Sequence, residues 1–287
     1  MTGRTIGITG VTGHVGGLVA RQLRAAGADL VLIARDPGRI IDADGVRVAR
    51  ADYDDPDAAA SALRGVDVLL MVSGSESIDR VRQHRTFIDA AAAAGVEQVV
   101  YTSFQGAAPD ATFTLARDHW ATEEHLRVTG MAWTFLRDSL YLDFVPDMAG
   151  DDGVIRGPAG TGRVAGVARA DVARVAAEVL ANPEPHAGAT YDLTGPEALT
   201  LDEAAAIITA VTGRPTSFHD ETLDEAYASR SLYGVPGWQV DAWVSTYTAI
   251  ASGDLASVSD AVERITGVAP LTLERLLRIG EGSVSGG

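Results

Sequence analysis

Residues 4–23 read RTIGITGVTGHVGGLVARQL, and a short apolar run in them leads into glycines at positions 10, 13 and 16. From Val15 onward the apolar residues recur at helical spacing, which predicts an amphipathic helix directly after the glycines. A strand, a glycine-rich turn and a helix in this order are typical of a dinucleotide-phosphate site. Gly10 permits the tight turn, Gly13 lets the backbone approach a pyrophosphate, and Gly16 allows the helix to pack closely on the strand.

The start of this predicted helix supplies the chemistry of the site. Its first N–H groups have no partner within the helix, and the positive end of the helix dipole attracts anions. The glycines follow the spacing G-x-x-G-x-x-G, whereas the commonest dehydrogenases have G-x-G-x-x-G. Any tight strand-to-helix turn favours glycine, so the glycines alone are weak evidence of nucleotide binding. The flanking strand and helix are the stronger evidence. Together they favour nucleotide binding.

Length and composition are those of a globular protein. The 287 residues suffice for one large α/β domain, or for one such domain with a smaller partner, and 46% of them are hydrophobic. The formal net charge of -16 opposes binding to nucleic acid or to an anionic membrane, since both need a basic surface. No signal peptide precedes the first predicted strand. We therefore expect a cytoplasmic protein, as a monomer or a homodimer.

Two missing residue types exclude whole classes of chemistry. The chain has no cysteine, which excludes disulfides, thiolate catalysis and cysteine-ligated metals. It also has no lysine, because all 23 basic residues are arginine. Schiff-base catalysis and every Tyr-x-x-x-Lys pair are therefore excluded.

Apolar strand patterns alternate with helical patterns through the first half of the chain. The predicted strands after the first are DLVLIAR, residues 46–49, VDVLLMV, EQVVYTS and MAWTFLR. This alternation predicts a doubly wound, Rossmann-type parallel sheet in residues 1–145. Residues 146–287 are predicted to form a smaller, mostly helical substrate domain, with part of 163–195 returning to the main sheet. The glycine- and serine-rich end, residues 281–287, predicts a tail that is disordered unless another part of the protein holds it in place.

Polar residues follow several of the predicted strands. Arg35 comes directly off the second strand, where an arginine accommodates the 2′-phosphate of NADP(H) and an acid binds the ribose hydroxyl of NAD(H). Asp36 follows it, but we favour Arg35 as the phosphate contact and hence NADP(H); the alternative is a solvated arginine. Asp52 ends the third strand, where it contacts adenine or serves as a turn aspartate.

Small polar residues also follow the fourth and fifth strands, at the edge where doubly wound sheets bind ligands. They are Ser73, Gly74, Ser75, Thr102 and Ser103. In the next helix, His119 is the histidine beside this edge that suits an acid role, since its unperturbed pKa is near 6.5. The alternative is a helix-face histidine bonded to Glu123 or to solvent. His119 and Glu123 supply two ligands without a third, so we predict no metal.

Further motifs make the sequence resemble a known family. They are ITGVTGHVG, VLIARDPGR, ADYDDPDA, LLMVSGSE, RQHRTFIDAA, VVYTS, HWATEEHL, FLRDSLY, ARADVARVAAEVL and YDLTGPEALTLDEAA. They span most of the chain and resemble the NmrA-like group of atypical short-chain dehydrogenases/reductases. Within that group the sequence is most similar to the NADPH-dependent type 2 quinone oxidoreductases and the triphenylmethane dye reductases.

The resemblance implies an NADP(H)-binding fold with a small C-terminal substrate domain, and it assigns cofactor contacts. The implied pyrophosphate contacts are Gly10, Thr12, Gly13, His14 and Val15. The implied 2′-phosphate contact is Arg35, and the implied wall beside the nicotinamide is Ser73, Gly74, Thr102 and Ser103.

The sequence departs from its relatives near the expected substrate pocket. Relatives often have Asn-Gly where this chain has Asp138-Ser139, and a lysine where it has Glu124. We assign the substrate pocket to Phe104, Asp138 and Tyr141. The two departures from the relatives each remove a neutral or positively charged hydrogen-bond donor from the neighbourhood of this pocket.

Two functions fit these features. Ketone reduction needs a tyrosine activated by lysine, whereas a quinone forms a delocalised anion and needs little acid assistance. The first hypothesis is therefore an NADPH-dependent oxidoreductase that transfers hydride to quinone-like or other electrophilic aromatic acceptors. The second is a regulatory protein that senses NADP(H) without turnover. Aromatic residues in the second half suit a pocket for flat rings and suit a core equally well.

Overall fold

A computed structural model describes residues 3–40 and 43–284, with side chains described up to residue 280. The strands are β1 (Thr5–Ile8), β2 (Asp29–Ala34), β3 (Arg47–Arg50), β4 (Val68–Met71), β5 (Gln98–Phe104), β6 (Ala132–Asp138), β7 (Val154–Gly157), β8 (Ala189–Leu193) and β9 (Ser217–Asp220). The helices are α1 (His14–Ala25), α2 (Pro56–Ala62), α3 (Arg80–Ala94), α4 (Thr114–Arg127), α5 (Arg169–Ala181), α6 (Leu201–Thr212), α7 (Leu223–Ser231), α8 (Gly237–Ala251), α9 (Ala261–Thr266) and α10 (Leu273–Val284).

Seven of the strands form one sheet in the order β3-β2-β1-β4-β5-β6-β8. The pairing is parallel: Ile6 of β1 lies opposite Leu30 of β2 on one side and Val68 of β4 on the other. The chain starts in the middle of the sheet and reverses direction there, which defines a doubly wound fold. The predicted fold class is confirmed. β8, from the segment expected to return to the sheet, lies beside β6.

The central strands are buried on both faces, as a parallel sheet covered by helices requires. All four residues of β4 are at most 1% exposed. Phe87 and Ile88 of α3 pack in the same apolar cluster as β4. Glycine ends α3 at Gly95, which adopts a left-handed conformation. The apolar runs of the sequence therefore form the core directly.

Some elements differ from the sequence-based prediction. The predicted strand at 46–49 lies one residue later, as β3. Neither β9 nor α9 is predicted, because β9 reads SFHD, with no apolar alternation, and α9 has only six residues. The predicted disordered tail is wrong over residues 281–284, where α10 continues. The rest of that tail, residues 285–287, lies outside the described residues.

The described residues divide into two compact units. The first takes in the residues within Met1–Pro109, Asp118–Arg137 and Val172–Tyr191, and it contains most of the seven-stranded sheet. The second takes in those within Asp110–Arg117, Asp138–Asp171 and Asp192–Gly287, and it contains the parallel pair β7 and β9. The chain therefore leaves and re-enters the first unit. The sequence-based division at residue 145, with part of 163–195 returning to the main sheet, stays a prediction.

The glycine turn holds α1 close to the end of β1. Gly10 has a φ of 64°, and the Gly13 N–H donates to the Gly10 carbonyl at 2.9 Å. A Cβ at Gly16 would lie 2.5 Å from the Gly10 oxygen, so this position of α1 admits no side chain. The sequence-based roles of Gly10 and Gly16 follow from these contacts.

We predict that Gly16→Ala destabilises the protein by about 1–3 kcal/mol, because the new Cβ overlaps backbone atoms that cannot move aside. Chemical denaturation measures the free energy of unfolding. The matched control is Gly280→Ala in α10, where a Cβ meets nothing within 4 Å and the change should stabilise by about 0.5–1 kcal/mol. If Gly16→Ala stabilised the protein as the control does, the close approach would be refuted.

Candidate cofactor and active site

The turn between β1 and α1 presents free backbone donors. Gly13 is the N-cap of α1, and no side chain caps the N–H groups at the start of this helix. The first turn also contains no acidic residue. Thr12, Gly13 and His14 are exposed, whereas the side chain of Val15 is buried. These three exposed residues, with Leu18 and Arg21, line a cleft of about 280 Å³. The helix end is therefore open to an anion.

Arg35 follows β2 directly and is exposed. Within the described residues its side chain makes no hydrogen bond or ion pair. The neighbouring Asp36 carboxylate accepts the Gly38 N–H at 3.2 Å and so caps the short 3₁₀ turn Pro37–Arg39. The Asp36 carboxylate at this strand end thus has a hydrogen bond within the protein, whereas the Arg35 guanidinium is available to a ligand.

Asp52 is half-buried after β3, and its carbonyl accepts the Asp55 N–H. Asp55 is the cap of α2, as its position before Pro56 indicates. Between them stands Tyr53, which the sequence analysis missed. Its hydroxyl lies 2.7 Å from the Thr9 Oγ1 and donates to the Val72 carbonyl at 2.6 Å. Tyr53 therefore connects the end of β1 with the segment after β4.

Three of the predicted site residues meet at the ends of β4 and β5. The Ser73 N–H donates to the Thr102 Oγ1 at 2.8 Å, and the Gly74 N–H donates to the His84 Nε2 at 2.9 Å. Ser75 is exposed. The Thr102 side chain is buried and engaged by this backbone contact. A contact of these residues with a nicotinamide stays a prediction.

Ser103 and Glu123 belong to a buried ionic cluster. The Ser103 hydroxyl donates to the Glu123 Oε1 at 2.6 Å. Arg137 binds the same carboxylate in a bidentate manner at 2.9 and 2.7 Å, and Arg127 adds a contact at 3.3 Å. Glu123 is 0% exposed, and these partners balance its charge within the protein. The cluster joins the end of β5 to α4 and β6.

His119 is 6% exposed, and both of its ring nitrogens are engaged by side chains other than Glu123, which corrects the alternative of a bond to Glu123. Its Nε2 lies 3.0 Å from the Arg80 Nη2, and its Nδ1 lies 3.0 Å from the Tyr101 hydroxyl. Arg80 is itself buried at the start of α3, with Asp118 at 3.8 Å as its acidic neighbour. The sequence analysis did not predict that Arg80 and Tyr101 are buried. A signal was present for Arg80, because it stands four residues before His84 on the same face of α3.

The obligatory donors in this network assign the protons of both histidines. Because the Arg80 guanidinium only donates, His119 accepts at Nε2 and carries its proton on Nδ1. Because the Gly74 N–H donates to the His84 Nε2, His84 also carries its proton on Nδ1. That proton points to the Thr122 Oγ1 at 2.9 Å, and the Thr122 hydroxyl donates to the Asp118 carbonyl. Both imidazoles are therefore neutral.

Burial and charge hold the network neutral. Burial, with the charge of Arg80 second, lowers the pKa of His84 to about 3. The same two causes lower the pKa of His119 well below 6.5, with smaller effects from His84 and Arg137. Burial raises the pKa of the Tyr101 hydroxyl, against the opposing effect of Arg80. These groups therefore hold hydrogen bonds, and none of them titrates near neutral pH.

The residues predicted for the substrate pocket fall in both units. Phe104, in the first unit, has its ring centroid 6.1 Å from that of His119. In the second unit, the Tyr141 hydroxyl donates to the Asp138 Oδ2 at 2.7 Å. Burial raises the pKa of the Asp138 carboxyl to about 8, although the bond from Tyr141 lowers it. The Arg169 guanidinium lies 5.1 Å from the centroid of the Tyr141 ring.

The part of the chain that the structure describes contains no group of three or more histidine, aspartate or glutamate residues placed to hold a metal ion. It also contains no helix of the length and apolarity that crossing a membrane requires.

Comparisons with known proteins agree with this geometry. Over 276 residues the chain is 35% identical to quinone oxidoreductase 2 of Escherichia coli, covering 93% of this chain and 96% of the relative. It is 32% identical to an NAD(P)H azoreductase of Xenophilus azovorans, covering 91% and 92%. A crystal structure of an NADPH-dependent quinone oxidoreductase from Escherichia coli in complex with NADPH superposes with a TM-score of 0.87, at 33% identity, covering 96% and 99%.

These matches confirm the family resemblance found in the sequence motifs. The family model described as NAD(P)H-binding matches residues 10–183, a span that begins at the first glycine of the turn and ends just after α5. With the open end of α1 and the doubly wound sheet, this match identifies the chain as a member of the NAD(P)H-binding family.

Proposed function

We propose that the protein is an NADPH-dependent oxidoreductase that transfers hydride to quinone-like or other electrophilic aromatic acceptors. The observation that carries the proposal is the uncapped start of α1, where exposed backbone at Thr12–His14 faces a cleft. A dinucleotide pyrophosphate supplies the anion that such a helix end favours. The relatives named above are a quinone oxidoreductase and an NAD(P)H azoreductase.

The preference for NADPH over NADH rests on the end of β2. Asp36, the acid that would bind a ribose hydroxyl, accepts a backbone N–H of its own turn instead. Arg35 is exposed there, with no partner in the described residues, and a guanidinium binds a phosphate through paired, charge-assisted hydrogen bonds. The pair therefore favours a ligand with a 2′-phosphate.

When bound, NADPH supplies the hydride, and the residues of the chain orient it and exclude side reactions. The backbone N–H groups of His14 and Val15, at the start of α1, would hold the pyrophosphate, and Arg35 would hold the 2′-phosphate. Ser73 and Thr102 form a rigid wall, because the Ser73 N–H is bonded to the Thr102 Oγ1. Holding the two reactants in a fixed orientation before the reaction lowers the entropic part of the activation barrier.

The neutral network behind this wall fits an acceptor that needs little acid assistance. The chain lacks lysine, so no tyrosine is activated in the manner of ketone reductases. His119 and Tyr101 hold their protons in hydrogen bonds and stay neutral across the physiological range. Their role is to position α4 against β5. A quinone, whose reduced anion is delocalised, tolerates such a site better than a simple ketone does.

The proposal is tested by following NADPH oxidation with a panel of quinones, azo dyes and cationic dyes. Saturable oxidation of NADPH, with matching loss of the acceptor, is the expected result. Tight NADPH binding without oxidation across the whole panel would contradict the proposal and favour a sensor of NADP(H).

Gly13→Val should abolish NADPH binding while the protein stays folded. The φ and ψ of Gly13 are -99° and -177°, which valine adopts without strain, and a Cβ there meets only the Gly10 oxygen at 3.3 Å. The side chain would stand where the pyrophosphate approaches the backbone. Fluorescence titration measures binding, and Gly13→Ala should show a smaller loss. Wild-type affinity in the valine variant would refute the phosphate site.

Arg35→Ala should weaken NADPH binding by about 1.5–3 kcal/mol and leave NADH binding nearly unchanged, because only NADPH carries the 2′-phosphate. Calorimetric titration with both cofactors measures the two affinities. The control is Arg85→Ala, which removes the same charge from an exposed position of α3. Equal losses for NADPH and NADH would show that Arg35 does not read the phosphate.

His119→Gln should keep NADPH affinity and lower turnover by less than the ~10²-fold at which general-acid contributions begin. The reason is that His119 is a neutral, hydrogen-bonded residue that orients its neighbours. For the same reason, wild-type turnover should show no titration near the ordinary histidine pKa. A fall of roughly a thousandfold, within the general-acid range, would make His119 the proton donor.

A further inference from the structure

Residues 72–74 follow β4 at the carboxyl edge of the sheet, outside the helices and strands. Segments of this kind are ordinarily the mobile parts of a protein, because their backbone groups bond to water. Here each backbone N–H donates to a side chain of the same unit. In chain order the acceptors are the Thr9 Oγ1 at 2.9 Å, the Thr102 Oγ1 at 2.8 Å and the His84 Nε2 at 2.9 Å.

The three acceptors come from different elements. Thr9 directly follows β1 and Thr102 lies in β5, so both belong to the strands on either side of β4. His84 lies on α3, outside the sheet, and its contact is with Gly74, the residue of this segment farthest from β4. The sheet therefore places the start of the segment, and His84 places its end.

The His84 ring is itself fixed. It is 0% exposed and stands edge-on to the rings of Tyr53 and Tyr101, with both centroid distances 5.8 Å. Its Nδ1–H donates to the Thr122 Oγ1 of α4 at 2.9 Å. A Cβ at Gly74 would lie 3.2 Å from the His84 Nε2, so the ring packs directly against the segment.

The bond from Gly74 leaves the His84 ring no part in proton transfer. The Gly74 N–H only donates, so the lone pair of the His84 Nε2 is occupied by it. Burial, with the charge of Arg80 one turn earlier on α3, lowers the pKa of the ring to about 3. The ring therefore acts as a neutral acceptor, and its effect on the site is through the backbone that it holds.

We propose that His84 is a positioning residue for the hydride transfer proposed above: by accepting the Gly74 N–H, it holds residues 72–74 where they border the nicotinamide. The role rests on the proposed function, because the border with the nicotinamide is part of that proposal. Without this acceptor the half-buried Gly74 N–H loses its partner, and the segment shifts to regain one. Such a shift lowers rate more than affinity, since the expected phosphate contacts lie at α1 and β2.

Two amide variants separate the contacts of His84. The amide of glutamine stands about as far from the backbone as the His84 Nε2, and the amide of asparagine about as far as the Nδ1. His84→Gln therefore keeps an acceptor for the Gly74 N–H, whereas His84→Asn keeps a partner only for Thr122. The matched control is His219→Asn, which makes the same change at an exposed histidine of β9.

Amide hydrogen exchange in the cofactor-free protein tests the contact without turnover. The Gly74 N–H should exchange slowly in the wild type and in His84→Gln, and at least about 10-fold faster in His84→Asn. The Val99 amide, in the buried middle of β5, should exchange alike in all variants and reports whether each is folded. A Gly74 amide that was unprotected in the wild type, or as protected in His84→Asn as in the wild type, would overturn the proposal.

Steady-state kinetics test the consequence. With saturating NADPH and acceptor, His84→Asn should lower kcat by about 10- to 10²-fold, whereas His84→Gln should stay within about threefold of the wild type. His219→Asn should match the wild type. Fluorescence titration should give an NADPH dissociation constant within about threefold of wild type in every variant. A loss of NADPH affinity as large as the loss of kcat would show a structural role instead and overturn the proposal.

The outcomes separate the two claims. If a folded His84→Asn protein kept wild-type kcat, the positioning role would be overturned and the proposed function would stand. If the wild type bound NADPH but reduced no acceptor, the proposed function would fail and the positioning role with it.

Discussion

The close approach of α1 to the end of β1 is the contact on which the rest of the nucleotide-binding unit depends. Gly16 leaves room for the carbonyl oxygen of Gly10, which in turn accepts the Gly13 N–H. The contact sets where α1 begins, and α1 begins without a side-chain cap. The first N–H groups of such an open helix end are available to a ligand, and the helix dipole favours a negative one, which explains why this fold is suited to a dinucleotide.

Two buried charged residues near β5, Glu123 and Arg80, are balanced by their surroundings to different degrees. Glu123 is buried with Arg137 and Ser103, so its carboxylate is fully paired and positions α4. Arg80 is buried with a weaker counter-charge, Asp118 at 3.8 Å, and its effect is to keep the histidines beside it neutral. Proton chemistry is thereby removed from His119. Asp138, in the second unit, is a carboxyl group that burial keeps protonated instead.

The fold could be predicted from the sequence because strands, glycine turn and capped helices are local signals. The roles of Gly10 and Gly16 and the cap at Asp55 follow from spacing alone. Tyr53 and the partners of His119 could not be predicted, since their contacts join residues that are far apart in sequence and meet only through the sheet order. Burial likewise decides protonation, and periodicity does not reveal how deeply a polar residue is buried.

The central claim is that the open end of α1 binds the pyrophosphate of NADPH and that Arg35 binds its 2′-phosphate. A crystal structure of the NADPH complex tests it most directly. Pyrophosphate oxygens are expected within hydrogen-bond distance of the His14 and Val15 backbone N–H groups, and the 2′-phosphate against the Arg35 guanidinium. A pyrophosphate bound away from the glycine turn, or an adenosine ribose held by Asp36, would contradict it.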